Sequence, residues 1–162
     1  MKLTKSLDIA LTALIQLASS DTRLNSGDIA GILGAPRNHV AKVIQLLARN
    51  GYIRTVRGKG GGIRLAKAPG DVTLKEIIDL VEGEIYLMEC TIRPGTCPMS
   101  PRCRLGRVFR KAQGLMLEVF HSTTLADVLP PGARPAVNKT RKKGLHNLKR
   151  EEEHGSDSRF DR

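Results

Sequence analysis

Leu7, Leu11, Leu14, Ile15 and Ala18 recur at steps of three and four, which predicts an amphipathic helix from Thr4 to Ala18. Asn25-Ser26-Gly27-Asp28 reads as a second helix start, with Ser26 as the cap and Asp28 near the positive end of the dipole. Ile29, Ile32 and Leu33 are its expected buried stripe, and Gly34 stops it. Ala35-Pro36 opens a third helix running to about Asn50, Pro being tolerated in a first turn. Its apolar face is Val40, Val43, Ile44 and Leu47; Arg37, Asn38, His39, Lys42, Gln45 and Arg49 are left on the polar side.

The pattern then changes. Tyr52 to Val56 and Ile63 to Leu65 are strand candidates flanking Arg57-Gly58-Lys59-Gly60-Gly61-Gly62. Four glycines among cations describe a flexible tip that can approach a groove closely. A nucleotide-binding glycine loop needs a helix start directly after it, and Ala66-Lys67-Ala68-Pro69-Gly70 is another turn. Thr73-Leu74-Lys75-Glu76 has capping-box spacing and starts a fourth helix, which buries Ile77, Ile78 and Val81 and ends near Gly83. Residues 84–104, punctuated by Pro94, Gly95, Pro98 and Pro101, are expected to be a loop.

Leu105, Val108, Phe109, Ala112, Leu115, Met116 and Val119 then predict a long helix from about Cys103 to Ser122. Its stripe runs for two heptads, which suits a partner helix of equal length in a symmetric homodimer. Thr123 to Leu129 reads as one last short helix, and the charged tail after Pro130-Pro131-Gly132 is expected to be disordered.

Two short helices joined by a tight Gly-containing turn, followed by a basic hairpin, make a winged helix-turn-helix. The expected fold is mainly α, with a small β-wing and a long dimerisation helix. Its parts are a DNA-binding domain over 1–83, a cysteine loop over 84–104, a dimerisation helix and short terminal helix over 105–129, and a tail over 130–162.

Charge sharpens this picture. The 162 residues carry a net charge of +11, of which residues 1–67 supply +8 and residues 68–131 supply −1. Between Arg37 and Lys67 stand eight basic residues and no acidic one, so a polyanion is the natural partner. Arg37, Asn38, His39 and Lys42, with Ser26, are candidates for contacts to double-stranded DNA; Arg57 and Lys59 are candidates for phosphates or the minor groove. His39 reads equally well as a plain exposed side chain. No apolar run approaches the ~20 residues of a membrane span. The amino-terminal pattern, with Asp8 inside it, does not read as a signal peptide, so a cytoplasmic location is expected.

Three cysteines, Cys90, Cys97 and Cys103, lie within fourteen residues. An odd number argues against a disulfide framework and the clustering suggests metal or redox chemistry. Zinc sites usually pair cysteines two to four residues apart and close with four protein ligands, whereas these gaps are six and five residues. An iron–sulfur cluster would need one further ligand. A redox enzyme would lack a nearby His/Asp constellation or a Cys-x-x-Cys pair, so no enzyme is expected; a helical interaction protein with zinc in the loop is the rival of another class.

The opening Met1-Lys2-Leu3-Thr4-Lys5 with Asp8, the glycine-rich wing, and the loop ending Cys97-Pro98-Met99-Ser100-Pro101-Arg102-Cys103-Arg104-Leu105 together resemble the winged-helix iron–sulfur repressors. The resemblance spans about residues 1–129 and is nearest to the nitric-oxide-sensing branch. It implies that Cys90, Cys97 and Cys103 ligate a cluster, [4Fe–4S] in preference to [2Fe–2S], with Asp8 of the other subunit as fourth ligand. It implies a repressor that releases operator DNA when nitric oxide reacts with the cluster. The cluster-assembly branch, a homeostasis or redox-sensing alternative, carries a His shortly after its third Cys; here Gly106 lies three residues after Cys103. The first gap is one or two residues longer than in these relatives, a length that Pro94-Gly95 can absorb.

Overall fold

A computed structural model describes residues 3–20, 24–56, 58, 61–93, 95, 97 and 103–133, and among these it has six α-helices, one two-stranded hairpin and two 3-10 turns. The first helix, α1 (Lys5–Ser19), begins where the Thr4 hydroxyl accepts the Leu7 N–H. Leu7, Ile9, Ala10, Ala13 and Leu14 are at most 1% exposed, so α1 buries more than the one stripe its sequence spacing predicts. Its alanines let neighbours approach closely, and the next three helices, the hairpin and the last turn all pack on it.

Helix α2 (Ser26–Leu33) is capped by Asn25, not by Ser26. Asn25 Oδ1 accepts from the N–H groups of Gly27 and Asp28 at 2.7 and 3.0 Å, and the Asp28 carboxylate returns to the Asn25 N–H at 2.8 Å. The cap must have extended backbone, which Asn25 has, while Ser26 is already helical. A second correction concerns Ile32, which is 51% exposed: in so short a helix only Ile29 and Ala30 reach the core fully. Gly34 closes α2 in the left-handed conformation, as a glycine there permits.

Helix α3 (Arg37–Arg49) follows from Pro36 and buries Val40, Val43, Ile44 and Leu47, the four residues its periodicity selects. Strands β1 (Ile53–Val56) and β2 (Gly62–Leu65) pair antiparallel, with Ile53 opposite Leu65 and Thr55 opposite Ile63. β1 starts one residue later than expected, although the Ala66 N–H still donates to the Tyr52 carbonyl at 2.9 Å, at the next position of the same register. Tyr52 is buried beneath Lys67, whose Nζ lies 4.3 Å from the ring centroid. Burial, then the charges of Glu76 and Asp79, push its phenol above the ordinary tyrosine range. The Ile63 N–H donates to Leu24 O at 2.7 Å and pins the hairpin beside the start of α2.

A 3-10 turn at Pro69–Asp71 leads into α4 (Leu74–Glu82), and the Thr73/Glu76 capping box is present on both arms. The expectation of an uninterrupted loop over 84–104 is overturned by α5 (Glu89–Ile92), a single helical turn. The Pro and Gly residues of this segment begin only at Pro94, so nothing before them breaks a turn. Helix α6 (Arg104–Ser122) has Cys103 as its cap. The last short helix is a 3-10 turn, Leu125–Val128, folded back so that Leu125 N–H donates to Val72 O and Leu74 N–H to Thr123 O. The disorder expected of the tail lies, from residue 134 onward, outside the described residues.

Candidate DNA-reading face and cysteine site

On α3 the side chains of Arg37, Asn38, Lys42, Gln45 and Arg49 are exposed, while the opposite face is locked into the core. Amphipathicity alone fixes this: four aliphatic residues at helical spacing orient the helix and leave its cations outward. His39 differs from its neighbours. Its ring is half-buried, with Nε2 2.9 Å from Ser6 Oγ on α1, so it is not the plain exposed side chain that was one reading of it. Ser26 is exposed and lines, with Thr55, Val56, Gly58 and Gly61 among others, a cleft of about 420 Å³ between α2 and the hairpin.

Arg57 and Lys59, the wing-tip candidates, lie outside the described residues. The hairpin shows a pair that sequence reading did not single out. Arg54 and Arg64 stand directly opposite each other in the β register, both exposed. Neither takes part in an ion pair among the described residues. Like charges directly opposite disfavour the hairpin, and an anionic partner would relieve that repulsion. Alternation along each strand was the available signal, but setting Arg54 against Arg64 needed the register.

Cys90, Cys97 and Cys103 are all free and all half-buried. Cys90 sits on α5, which α6 holds in place: Gln113 Oε1 accepts both the Leu87 N–H at 3.1 Å and the Thr91 hydroxyl at 2.7 Å. Cys103 caps α6, and its Sγ accepts the Gly106 N–H at 3.3 Å, the kind of amide contact a thiolate ligand takes from its second shell. Among the described residues no three His, Cys, Asp or Glu side chains are drawn together tightly enough to hold a metal ion. The chemistry of the donors, three soft uncommitted sulfurs on one connecting segment, fits an iron–sulfur centre that lacks one ligand. Asp8 is exposed on the first turn of α1 and pairs with Lys5 of the same turn.

Helix α6 has two apolar faces rather than the single stripe expected. Met116, Leu117 and Phe120 pack on the core, and Phe109 is half-buried. Leu105, Val108, Ala112, Leu115 and Val119 are exposed and follow one another at steps of three, four, three and four. Val108 is 63% exposed and Leu115 55%, high for residues of this kind in so regular an array.

A family model described as Rrf2, iron-dependent transcriptional regulator, matches residues 3–131. The HTH-type transcriptional regulator NsrR of Bacillus licheniformis is 39% identical over 132 residues, covering 80% of this chain and 92% of that protein. NsrR of Bacillus subtilis is 36% identical over 132 residues, covering 80% and 90%. Among solved structures, CymR, the global cysteine regulator of B. subtilis, superposes with a TM-score of 0.66 at 24% identity, covering 78% of this chain and 95% of that one. T. potens IscR gives 0.59 at 25% identity, covering 78% and 85%. The arrangement of helices and hairpin is thus that of winged-helix regulators, as the hydrophobic pattern led one to expect.

Proposed function

The chain belongs to the Rrf2 family of transcriptional regulators, and from that premise we propose a dimeric repressor that holds operator DNA while its cysteines carry an iron–sulfur cluster and releases it in response to nitric oxide. It is a regulator and not an enzyme. The observation that carries the sensing half of this reading is the set of three free, half-buried thiols between the DNA-reading domain and α6.

Cys90, Cys97 and Cys103 would hold the cluster, with Asp8 of the partner subunit as fourth ligand; [4Fe–4S] is preferred to [2Fe–2S]. When bound, the cluster supplies iron that nitric oxide attacks. The chain's own residues do the rest. Gln113 keeps α5, and with it Cys90, against α6. The exposed seam of α6 meets its copy and sets two α3 helices for half-sites about one DNA turn apart. Arg37, Asn38 and Lys42 reach base edges or phosphates from α3, and Ser26, Arg54 and Arg64, with Arg57 and Lys59 of the wing, hold the backbone. Asp8, exposed at the start of α1, clasps the two subunits together across the cysteine site.

Release demands a difference in affinity between two states, and a hundredfold difference corresponds to about 2.7 kcal/mol. Loss of alignment between half-sites is the change that would supply it. The relatives named NsrR support nitric oxide as the signal, and the absence of a His shortly after Cys103 favours this branch over the cluster-assembly branch.

The test is an anaerobic titration with nitric oxide, following binding to a duplex enriched by the protein from a random-sequence library. Affinity is expected to fall at least about tenfold as a few equivalents of nitric oxide are added, in step with loss of the visible absorption. An affinity indifferent to nitric oxide would exclude it as the signal; a colourless, zinc-containing protein would exclude the cluster.

A further inference from the structure

Besides the burial of Leu7 in the core, the start of α1 is tied to the rest of its own protomer by hydrogen bonds at two points among the described residues. Thr4 donates through its N–H and its hydroxyl to Glu82 Oε1, at 2.9 and 2.6 Å, joining α1 to the end of α4. Ser6 Oγ lies 2.9 Å from His39 Nε2, joining α1 to the first turn of α3. Elsewhere α1 and α3 meet inside the apolar core. Apolar contacts are non-directional and tolerate small slides. A half-buried hydrogen bond fixes distance and angle, and is strengthened by its low-dielectric surroundings.

We propose that the Ser6–His39 hydrogen bond is the positioning link through which the seating of α1 sets the orientation of α3 on DNA. Asp8 stands two residues after Ser6 in the same turn, exposed, with Lys5 of that turn as its ion-pair partner, and is placed to meet another subunit. Whatever holds Asp8 therefore holds Ser6, and Ser6 holds His39 in the first turn of the DNA-reading helix. His39 and Ser6 act by position, without touching iron. The inference rests on the reading of Asp8 as a ligand to the partner's cysteine site.

The experiment compares the full-length protein with and without its cluster, using the same library-enriched duplex, for the wild type, Ser6→Ala, Ser6→Thr, His39→Ala and His39→Gln. Absorption spectra report cluster content for each. In the wild type the cluster-loaded form should bind about tenfold or more tighter than the cluster-free form. Ser6→Ala and His39→Ala should load the cluster normally and bring that ratio to about twofold, with the double variant no lower than either single one. Ser6→Thr, which keeps the hydroxyl, and His39→Gln, which keeps a nitrogen near the Nε2 position, should restore it. A Ser6→Ala protein whose two forms lose affinity equally, so that the ratio stays at the wild-type value, overturns the proposal by showing a merely structural contact. A wild type that carries a cluster but shows no ratio at all overturns the sensing reading, and the link falls with it.

Discussion

Asp127 holds the last turn of the domain closed, and its charge is coupled to folding. The Thr124 hydroxyl and N–H both donate to its carboxylate, and these bonds hold its titration below the ordinary carboxylate range. A carboxyl depressed in the folded state contributes stability above its unfolded pKa and loses it as pH falls through the folded value. Asp127→Ala is therefore expected to cost of order 1 kcal/mol at neutral pH in chemical denaturation, and progressively less as pH falls below about 4. A deficit that persists unchanged in acid would remove the charge from the explanation. Single residues are also where the sequence was hardest to read. Asn25 and Ser26 are both good caps, and only the backbone conformation decides between them. His39 sits on the polar side of α3 by its spacing, but nothing in the spacing foretells that Ser6, thirty-three positions away, takes its ring.

The elements were more legible because each rests on many residues at once. The aliphatic faces of α3 and α4 and the Thr73/Glu76 box stand where periodicity places them. Helix α5 was missed since one turn carries no period, and the second face of α6 was hidden because Phe109 and Met116 merge with the outer stripe on a helical wheel. The outer seam predicts its own partner. Burying the exposed half of Leu115 against a copy is worth about 1–1.5 kcal/mol per side chain, and a buried Glu costs more still, so Leu115→Glu should turn a dimer into a monomer in sedimentation at micromolar concentration. An unaltered dimer would place the interface elsewhere. For the hairpin, replacing Arg57 and Lys59 by Ala should weaken binding to all duplexes alike and reduce the salt slope by about one unit per lost phosphate contact. An unchanged slope would take the wing tip off the DNA.

At the scale of the whole molecule, charge and chemistry are laid out in order along the chain. A strongly basic reading domain comes first, then a nearly neutral segment with all three cysteines and the exposed helix, and no helix among the described residues is long and apolar enough to cross a membrane. This layout was visible in the sequence, as was the winged-helix fold. The assembled cysteine site was not, for a physical reason: its proposed fourth ligand comes from a second chain, so neither one sequence nor one protomer closes it. The direct measurement is iron and acid-labile sulfide per chain in protein purified without air, together with duplex affinity before and after cluster removal. A cluster-bearing repressor should carry iron and sulfide in comparable amounts, lost together when Cys90, Cys97 and Cys103 are replaced by Ser, with affinity falling alongside. Protein free of iron and sulfide, binding DNA equally well with or without its thiols, would contradict it.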